Sequence, residues 1–325
     1  MATLLIASHA PGAGKTAIAA GLARLFERSG ASVSVCKPLS PAGSADPDAG
    51  YFADGFGGSA AVAEGDDAAA LDNAADAVRS LSGNSDHTLV EVANPVSGSG
   101  LASPLTAGLV ERLSARVIAV FRYDAQLSAV AVSGAVAPLG DALAGVIVNQ
   151  TPRYRVAEVG AMLTEAATVG ITAMAALPED RAMLSLTMKQ LAQQLGGQWE
   201  LEPSDGEDWI DRFLIGGNIM DSGTGYFGRY PHQAVITRAE RPDIQMASLM
   251  QDTRCLVLTG GGRPTEYIRV EAAKRDVPVL LVDGGTVATA DAVGNLLGAV
   301  VPYHAHKAER MADLLAERID LAAVL

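Results

Sequence analysis

Hydrophobic positions change their spacing twice within the first 40 residues. A short apolar run over residues 3–7 predicts a buried strand. After a glycine-rich turn, apolar side chains recur at helical spacing, at Ile18, Ala19, Leu22, Leu25 and Phe26. A second run over residues 32–35 ends at Lys37-Pro38, where proline prevents further pairing in the centre of a sheet. The order strand, helix, strand predicts a βαβ unit.

The same alternation continues to about residue 195. Short apolar runs predict strands at residues 88–92, 116–121, 143–148 and 171–177. Helical patterns lie between or after them, at residues 68–81, 106–113 and 183–195. Such alternation predicts a parallel sheet with helices on both faces. Residues 41–67 have no clear period, and we expect a mobile loop or lid there. A solvated acidic loop without a role is the alternative.

This pattern stops at Gly196-Gly197 and in the polar, acidic segment over residues 202–208, where we place the domain boundary. Beyond it, apolar runs predict strands at residues 213–217, 234–237, 255–259 and 277–282. Helical patterns follow at about residues 244–250 and 265–274, and a last helix is expected at about 306–316. We therefore predict two α/β domains, one over residues 1–200 and a smaller one over residues 208–325.

Composition and charge exclude several classes of protein. Of the 325 residues, 49% are apolar and 19% are charged, which excludes a wholly disordered chain. A net charge of −13 argues against nucleic-acid binding, because a polyanion requires a basic face. No apolar run approaches the ~18 residues of a membrane helix, and no secretion signal begins the chain, so we expect a cytoplasmic protein without a membrane partner. Cys36 and Cys255 have no metal-ligand spacing, and we expect both to be reduced thiols.

The sequence HAPGAGKT, residues 9–16, joins the first predicted strand to the first predicted helix. In this context it predicts a P-loop, the glycine-rich loop that binds phosphate groups. Gly12 and Gly14 allow backbone N–H groups to turn toward phosphate oxygens, and the helix N-terminus adds the positive end of its dipole. In such a loop Lys15 reaches the β and γ phosphates, and the Thr16 hydroxyl binds Mg²⁺.

One position departs from the usual pattern G-x-x-x-x-G-K-[ST]. His9 occupies the place of the first glycine. A positive φ at that residue would cost ~1–3 kcal/mol, so we expect an altered loop geometry. The alternative for the whole segment is an ordinary strand-to-helix turn in which Lys15 is solvated.

Acidic residues follow the predicted strands beside this loop. Glu91 ends the run over residues 88–90, where a charge is unfavourable unless it reaches a cleft, a ligand or a basic partner. Asp46 and Asp48 come soon after the second strand. Mg²⁺ prefers oxygen ligands, and ligands of parallel sheets bind at the carboxyl ends of the strands. These three carboxylates are candidates for the metal side of the site; carboxylates in solvent are the alternative.

These motifs resemble the dethiobiotin synthetase-like branch of P-loop proteins. The resemblance is carried by the GKT loop and by VCKPL (35–39), LVE (89–91), GVIVN (145–149) and LPED (177–180). It implies a P-loop NTPase-like α/β fold with ATP and Mg²⁺ as cofactors. The implied phosphate-binding residues are Gly12, Ala13, Gly14, Lys15 and Thr16, and the implied Mg²⁺ residues are Thr16, Asp48 and Glu91.

The same resemblance implies roles for two further residues. Asn149 would contact adenine, and Lys37 would face the substrate pocket, with Lys37 and Lys15 as the catalytic lysines. The residues alone leave alternatives open. A lysine directly after a buried strand is also typical of a surface residue with a buried stem. An asparagine at a strand end is also typical of a turn.

The second half of the chain resembles a DRTGG domain. The matching residues are Asp221-Ser222, Tyr226-Phe227, AVIT (234–237), Arg241, DIQ (243–245) and TRCLVLTG (253–260). The name-giving string is absent, and Ala239-Glu240-Arg241 stands where relatives often have Gly-Asp-Arg. Arg241 and Asp243 either belong to a ligand site or pair with each other at the start of a helix.

The order of the two domains resembles the N-terminal region of long bacterial phosphotransacetylases. The acetyltransferase domain of those enzymes has no counterpart in this sequence, so we expect no acetyl transfer by this chain alone. The resemblance implies an Mg-ATP-binding dimer with a regulatory or assembly role, and an enzyme partner in acetate or acetyl-CoA metabolism. An ATP-dependent ligase of the dethiobiotin synthetase type is the alternative. A fold that serves only protein contacts is the third hypothesis.

Overall fold

In a computed structural model of the protein, the described residues are 2–59, 63, 65, 67–94, 100–101, 103–166, 173–217, 223–297 and 300–325. Asp221 and Ser222 of the DRTGG resemblance lie outside them, as do residues 171–172 of a predicted strand. The chain forms two compact units. The first comprises Met1–Asp180 and Pro302–Leu325, and the second comprises Arg181–Val301. These bounds differ from the predicted division at residues 200 and 208.

The first unit is built on a six-stranded parallel sheet. Its strands are β1 (Ala2–Ser8), β2 (Val33–Cys36), β3 (His87–Glu91), β4 (Arg116–Arg122), β5 (Leu143–Thr151) and β6 (Ala173–Pro178). They lie in the order β2-β3-β1-β4-β5-β6. Leu4, Leu5, Ile6 and Ala7 are all buried, because helices cover both faces of the sheet. The predicted P-loop NTPase-like α/β fold is confirmed.

In the part of the first unit that the structure describes, six α-helices accompany this sheet before the chain enters the second unit. They are α1 (Lys15–Arg28), α2 (Pro47–Gly55), α3 (Ala68–Ser82), α4 (Pro104–Leu113), α5 (Ala129–Val136) and α6 (Val156–Ala166). Helix α2 contradicts the prediction of a loop over residues 41–67. The Asp46 side chain accepts from the backbone N–H groups of Asp48 and Ala49, and Pro47 occupies the first helical position. Phe52 then anchors the helix in the core at 0% exposure.

The second unit contains a five-stranded sheet and a two-stranded ribbon. The strands are β7 (Leu186–Thr187), β8 (Gln198–Leu201), β9 (Trp209–Ile210), β10 (Arg212–Gly216), β11 (Gln233–Arg238), β12 (Thr253–Thr259) and β13 (Val279–Val282). The sheet order is β10-β11-β12-β13-β8, with β8 antiparallel to β13, and β7 pairs with β9. The sequence pattern did not predict strand β8, which lies at the end of the first predicted domain and next to the predicted boundary.

Among its described residues, five α-helices complete the second unit. They are α7 (Met188–Leu195), α8 (Thr224–Phe227), α9 (Pro242–Leu249), α10 (Glu266–Lys274) and α11 (Thr286–Leu297). Helix α7 begins later than the predicted residue 183, because Thr187 and Gln190 form a capping box at its N-terminus. Two apolar clusters pack on the sheet, one containing Ile236 and Val257 and the other containing Val235 and Leu256.

The C-terminal segment returns to the first unit. It forms α12 (Ala305–Ala316) and α13 (Leu321–Val324), and α12 confirms the helix predicted at about 306–316. Helix α12 packs on α1, and a Cβ atom at Gly21 would lie 2.4 Å from Cγ of Met311. Arg28 of α1 donates to Glu309 and Asp313 of α12. Within the part of the chain that the structure describes, no helix is long and apolar enough to cross a membrane.

Candidate functional site

The loop between β1 and α1 makes its left-handed turns at glycine. Gly12 has φ +72° and Gly14 has φ +90°, whereas His9 is not among the residues with positive φ. The His9 backbone N–H donates to the Val120 carbonyl at 3.0 Å, and its ring stacks on Phe121 at 5.3 Å between centroids. The backbone strain expected at His9 is therefore absent, because the loop does not require glycine at that position.

Asn149, near the carboxyl end of β5, forms a hydrogen bond with the loop between β1 and α1. Its Nδ2 donates to the Ala13 carbonyl at 2.9 Å, and the side chain is 5% exposed. A Cβ atom at Gly14 would lie 2.3 Å from this nitrogen, so the close approach requires glycine. Asn149 belongs to β5 rather than to a turn, which excludes that alternative. Its contact with adenine stays a prediction.

Lys15 is buried at the start of α1. Its Nζ donates to Ser8 Oγ at 3.1 Å and to Asn94 Oδ1 at 2.9 Å, and the residue is 6% exposed. Burial lowers the pKa of Lys15. The solvated lysine of the alternative interpretation is therefore wrong. Sequence reasoning missed Ser8 and Asn94, although each lies at or just after the end of a strand beside the loop.

Thr16 and Asp48 form a second set of contacts beside Lys15. Thr16 Oγ1 donates to Asp48 Oδ1 at 3.1 Å. The same carboxylate oxygen accepts from the Tyr303 hydroxyl at 2.8 Å. Asp48 lies in the first turn of α2, and Tyr303 lies just before α12. Sequence reasoning missed Tyr303, because no local pattern connects residues 48 and 303.

Lys37 links three carboxylates at the end of β2. Its Nζ lies 2.9 Å from Asp46 Oδ2, 2.5 Å from Asp48 Oδ2 and 3.7 Å from Glu91 Oε1. Burial opposes the charge of Lys37, but the three carboxylates outweigh burial and raise its pKa. At 9% exposure, Lys37 is not the surface lysine of the alternative interpretation.

Glu91, the last residue of β3, has the least compensated charge in the site. It is 3% exposed, and its Oε2 has no hydrogen-bond partner among the described residues. Burial, together with the Asp48 carboxylate, raises the pKa of Glu91 to about 7, although Lys37, Lys15 and Thr16 act in the opposite direction. A buried carboxylate oxygen that accepts no hydrogen bond is costly, so Glu91 is neither a solvated strand end nor an ordinary core residue.

The oxygen atoms gathered here fit Mg²⁺. Thr16, Asp48 and Glu91 supply a hydroxyl and two carboxylates, which are the hard ligands that this ion prefers. Mg²⁺ beside a phosphate normally takes only one or two protein groups and keeps several waters. The described residues contain no cluster of three or more His, Cys, Asp or Glu side chains that could hold a metal ion by themselves.

Two family models match the chain. The model of an AAA domain matches residues 2–185, and the model of the DRTGG domain matches residues 190–296. The DRTGG resemblance of the second half is therefore confirmed, and the first half is a P-loop domain. In the DRTGG match, Arg241 donates to both carboxylate oxygens of Asp243, at 2.9 and 2.7 Å, as in the pairing alternative.

Three solved structures illustrate what the chain is similar to. One contains the CBS and DRTGG domains of the regulatory region of Clostridium perfringens pyrophosphatase, complexed with the activator diadenosine tetraphosphate. Its sequence identity to this chain is 13% and its TM-score is 0.30. The match covers 37% of this chain and 52% of that one. Another is the signal recognition particle 54 kDa protein of Aeropyrum pernix K1 in complex with GDP, with 16% identity and a TM-score of 0.41. The match covers 54% of this chain and 41% of that one. The third is the cell division protein FtsY of Thermotoga maritima, with 18% identity and a TM-score of 0.36. The match covers 55% of this chain and 62% of that one. The chain thus spans between 41% and 62% of the length of these structures.

Proposed function

This chain belongs to the AAA domain family, and we propose that it is an Mg-ATP-binding P-loop protein with a regulatory or assembly role. One observation carries the proposal. Lys15 lies buried at the N-terminus of α1, below a loop that turns at two glycines. Beside it lie Thr16, Asp48 and the Glu91 oxygen that has no hydrogen-bond partner among the described residues. This combination joins a phosphate-binding loop to oxygen donors suited to Mg²⁺.

Phosphate binding at the loop follows from three features of the chain. The positive φ values of Gly12 and Gly14 turn backbone N–H groups into a concave anion site. Helix α1, with 14 residues, directs the positive end of its dipole at the same point. Among the described residues, Lys15 donates hydrogen bonds to two neutral oxygens, and a phosphate oxygen would replace them with a stronger charge-assisted hydrogen bond.

The carboxylates beside the loop are arranged for a divalent cation. Bound Mg²⁺ would neutralise negative charge on the phosphates. Thr16 and Asp48 are the residues that would hold the ion, and Glu91 is the buried carboxyl that would lose its proton as the cation approaches. Lys37 offsets the mutual repulsion of the carboxylates by bridging Asp46, Asp48 and Glu91.

The regulatory role rests on the combination of the two domains. A P-loop unit followed by a DRTGG domain resembles the N-terminal region of long phosphotransacetylases, so the proposed partner is an enzyme of acetate or acetyl-CoA metabolism, contacted by a dimer of this chain. ATP can regulate such an assembly only if it binds two conformations with different affinity. Hydrolysis is then expected to be slow.

Lys37 favours a second candidate function, that of an ATP-dependent ligase of the dethiobiotin synthetase type. A buried lysine beside the Mg²⁺ side of a P-loop can stabilise charge on a transferred phosphoryl group. Rapid ATP turnover with bicarbonate and a diamine that carries a carboxylate would support the ligase. Turnover above ~1 s⁻¹, near the lower end for ordinary enzymes, would contradict the regulatory role.

Thermal unfolding with Mg-ATP, Mg-ADP and Mg-GTP tests the nucleotide site. A ligand at a hundred times its Kd stabilises the folded protein by ~2.7 kcal/mol, and we expect ATP or ADP to produce a clear rise in Tm. Lys15→Ala should remove this rise. Lys189→Ala, at an exposed position of α7, is the matched control and should retain it. An unchanged Tm of the wild-type protein at millimolar nucleotide would reject the proposed function.

A further inference from the structure

We propose that Tyr303 is a positioning residue for the Mg²⁺ side of the nucleotide site. Its hydroxyl holds the Asp48 carboxylate in the orientation that directs the Thr16 hydroxyl toward the cation. The inference rests on the proposed function, because it concerns the same site. It also connects that site to the C-terminal segment, Pro302–Leu325, which directly follows the second unit in the chain.

The first step of the argument is the fixed orientation of Asp48. Its Oδ1 accepts from Thr16 Oγ1 at 3.1 Å and from the Tyr303 hydroxyl at 2.8 Å, and its Oδ2 accepts from Lys37 Nζ at 2.5 Å. A carboxylate held at both oxygens from three directions cannot rotate without breaking at least one of these bonds. Tyr303 is the contact that comes from a distant part of the sequence.

The second step concerns the proton of Thr16. A hydroxyl has one proton and two lone pairs, and Thr16 donates its proton to Asp48. The lone pairs of the Thr16 hydroxyl oxygen can then bind a cation. Their direction depends on the position of Asp48 Oδ1, which accepts the proton. Groups that orient a metal ligand in this way typically contribute 10–100-fold to metal affinity. Tyr303 acts on the ligand through Asp48 and does not touch the cation.

The third step is the rigidity of the element that carries Tyr303. The phenol ring packs against Tyr51 of α2, with 5.3 Å between ring centroids. The following helix, α12, is fixed to α1 by the ion pairs of Arg28 with Glu309 and Asp313. Helix α1 also carries Lys15 and Thr16 in its first turn. The hydroxyl is therefore supported from the same elements that form the nucleotide site.

Tyr303→Phe tests the inference, with Tyr51→Phe as the matched control. Both variants remove one phenolic oxygen and keep the ring. The Tyr51 hydroxyl has no hydrogen-bond partner among the described residues, so its loss should leave the site unchanged. The measurement is the binding of ATP to the full chain by calorimetry, titrated with Mg²⁺ and repeated in EDTA.

Mg²⁺ should increase the affinity for ATP, and we compare the Mg²⁺ concentration at which half of this increase is reached. We expect this concentration to be ~10-fold higher in Tyr303→Phe than in the wild type. ATP affinity in EDTA should stay within twofold of the wild-type value, and Tyr51→Phe should match the wild type in both titrations. A general structural role would instead weaken ATP binding equally with and without Mg²⁺. If Tyr303→Phe weakens ATP binding equally with and without Mg²⁺, or leaves the Mg²⁺ dependence unchanged, the inference is overturned. The proposed function is tested separately, by the binding of Mg-ATP to the wild-type protein.

Hydrogen exchange supplies a second readout that does not depend on affinity. Because coupling between two sites is reciprocal, Mg-ATP should slow exchange of the backbone amides over residues 303–308 in the wild-type protein. The slowing should be lost in Tyr303→Phe and retained in Tyr51→Phe. Equal slowing in all three proteins would show that Tyr303 does not connect the site to the C-terminal segment.

Discussion

At the scale of single residues, the two aspartates and the glutamate of the site differ in how well their charge is compensated. Ser40, Lys37 and backbone N–H groups all donate to Asp46, and despite burial they lower its pKa. Lys37 lies 3.7 Å from Glu91, and one oxygen of Glu91 has no hydrogen-bond partner among the described residues. Glu91 is therefore the carboxyl whose protonation responds most readily to a bound cation.

The raised pKa of Glu91 predicts a pH-dependent loss of stability. Its usual pKa is 4.5, and burial raises it to about 7 in the folded protein. Between these two values the unfolded chain releases the proton first, so the contribution of Glu91 to the free energy of unfolding falls as pH rises from about 4.5 to about 7. Glu91→Gln should therefore be more stable than the wild type at pH ~8, by roughly 3 kcal/mol at most.

Urea unfolding of both proteins between pH ~4.5 and ~8 measures this difference. The gain of Glu91→Gln should shrink toward zero at the acidic end, because Glu91 is then protonated in the folded protein and only about half ionised in the unfolded chain. Carboxylates that lie away from Glu91 titrate equally in the two proteins, so their contributions cancel. A gain that stays constant across this range would show that packing, rather than ionisation of Glu91, is its cause.

The residues of the loop could be predicted from sequence because their chemistry and their local context coincide. The string from Gly12 to Thr16 follows a predicted strand and opens a predicted helix. Tyr303 and Asn94 could not be predicted in this way. Each is an ordinary polar residue, and its role arises only when the fold brings it to Asp48 or Lys15.

At the scale of elements, the contact between α1 and α12 depends on a small residue at the point of closest approach. Gly21 lies where a Cβ atom would be 2.4 Å from Cγ and 2.8 Å from Cβ of Met311. The backbone of α12 is also near, since the Met311 carbonyl carbon would lie 3.0 Å from that Cβ. A larger side chain must therefore move the helix and not only a flexible neighbour.

Gly21→Ala is predicted to destabilise the protein although alanine normally stabilises helices. In an open helix the change gains ~0.5–1 kcal/mol. Here overpacking should reverse the sign and cost ~1–3 kcal/mol, seen as a lower Tm. Gly160→Ala in α6 is the control, because nothing lies within 4 Å of its added Cβ. A stabilised Gly21→Ala protein would contradict the close packing of α12 on α1.

The elements that sequence predicted best are those with a single clear period. Buried strands appear in the sequence as continuous apolar runs. Helix α3 appears as a regular amphipathic pattern, which predicts a helix over residues 68–81, and the structure has it at Ala68–Ser82. Helix α2 was missed because its glycines and polar residues hide the period, although Asp46-Pro47 is a helix-start signal. Strand β8 was missed because it lies among glycine and acidic residues, and its pairing with β13 is non-local.

At the scale of the whole molecule, the first unit is built from two separate parts of the chain. Met1–Asp180 needs Pro302–Leu325 to complete it, whereas Arg181–Val301 is continuous. The amphipathic pattern of α12 predicts that one face is buried but does not say against which sheet or helix. For that reason sequence alone assigned the C-terminal helix to the nearer, second domain.

This arrangement predicts the consequence of removing residues 302–325. Met311, Leu314 and Leu315 are nearly fully buried, and each contributes ~1.5–3 kcal/mol by burial. Their combined loss approaches the ~5–15 kcal/mol that typically stabilises a domain, so the first unit should loosen. In hydrogen exchange, amides of α1 should lose protection, while amides of β12 in the second unit should retain it.

A synthetic peptide of residues 302–325, added to the shortened chain, separates this effect from general misfolding. The peptide should restore protection of α1 and the Tm response to Mg-ATP, because it supplies the buried face of α12 and the Tyr303 hydroxyl together. A peptide carrying Tyr303→Phe should restore protection of α1 but leave the Mg²⁺ dependence weakened. If the shortened chain keeps full protection of α1 without any peptide, the C-terminal segment does not complete the first unit.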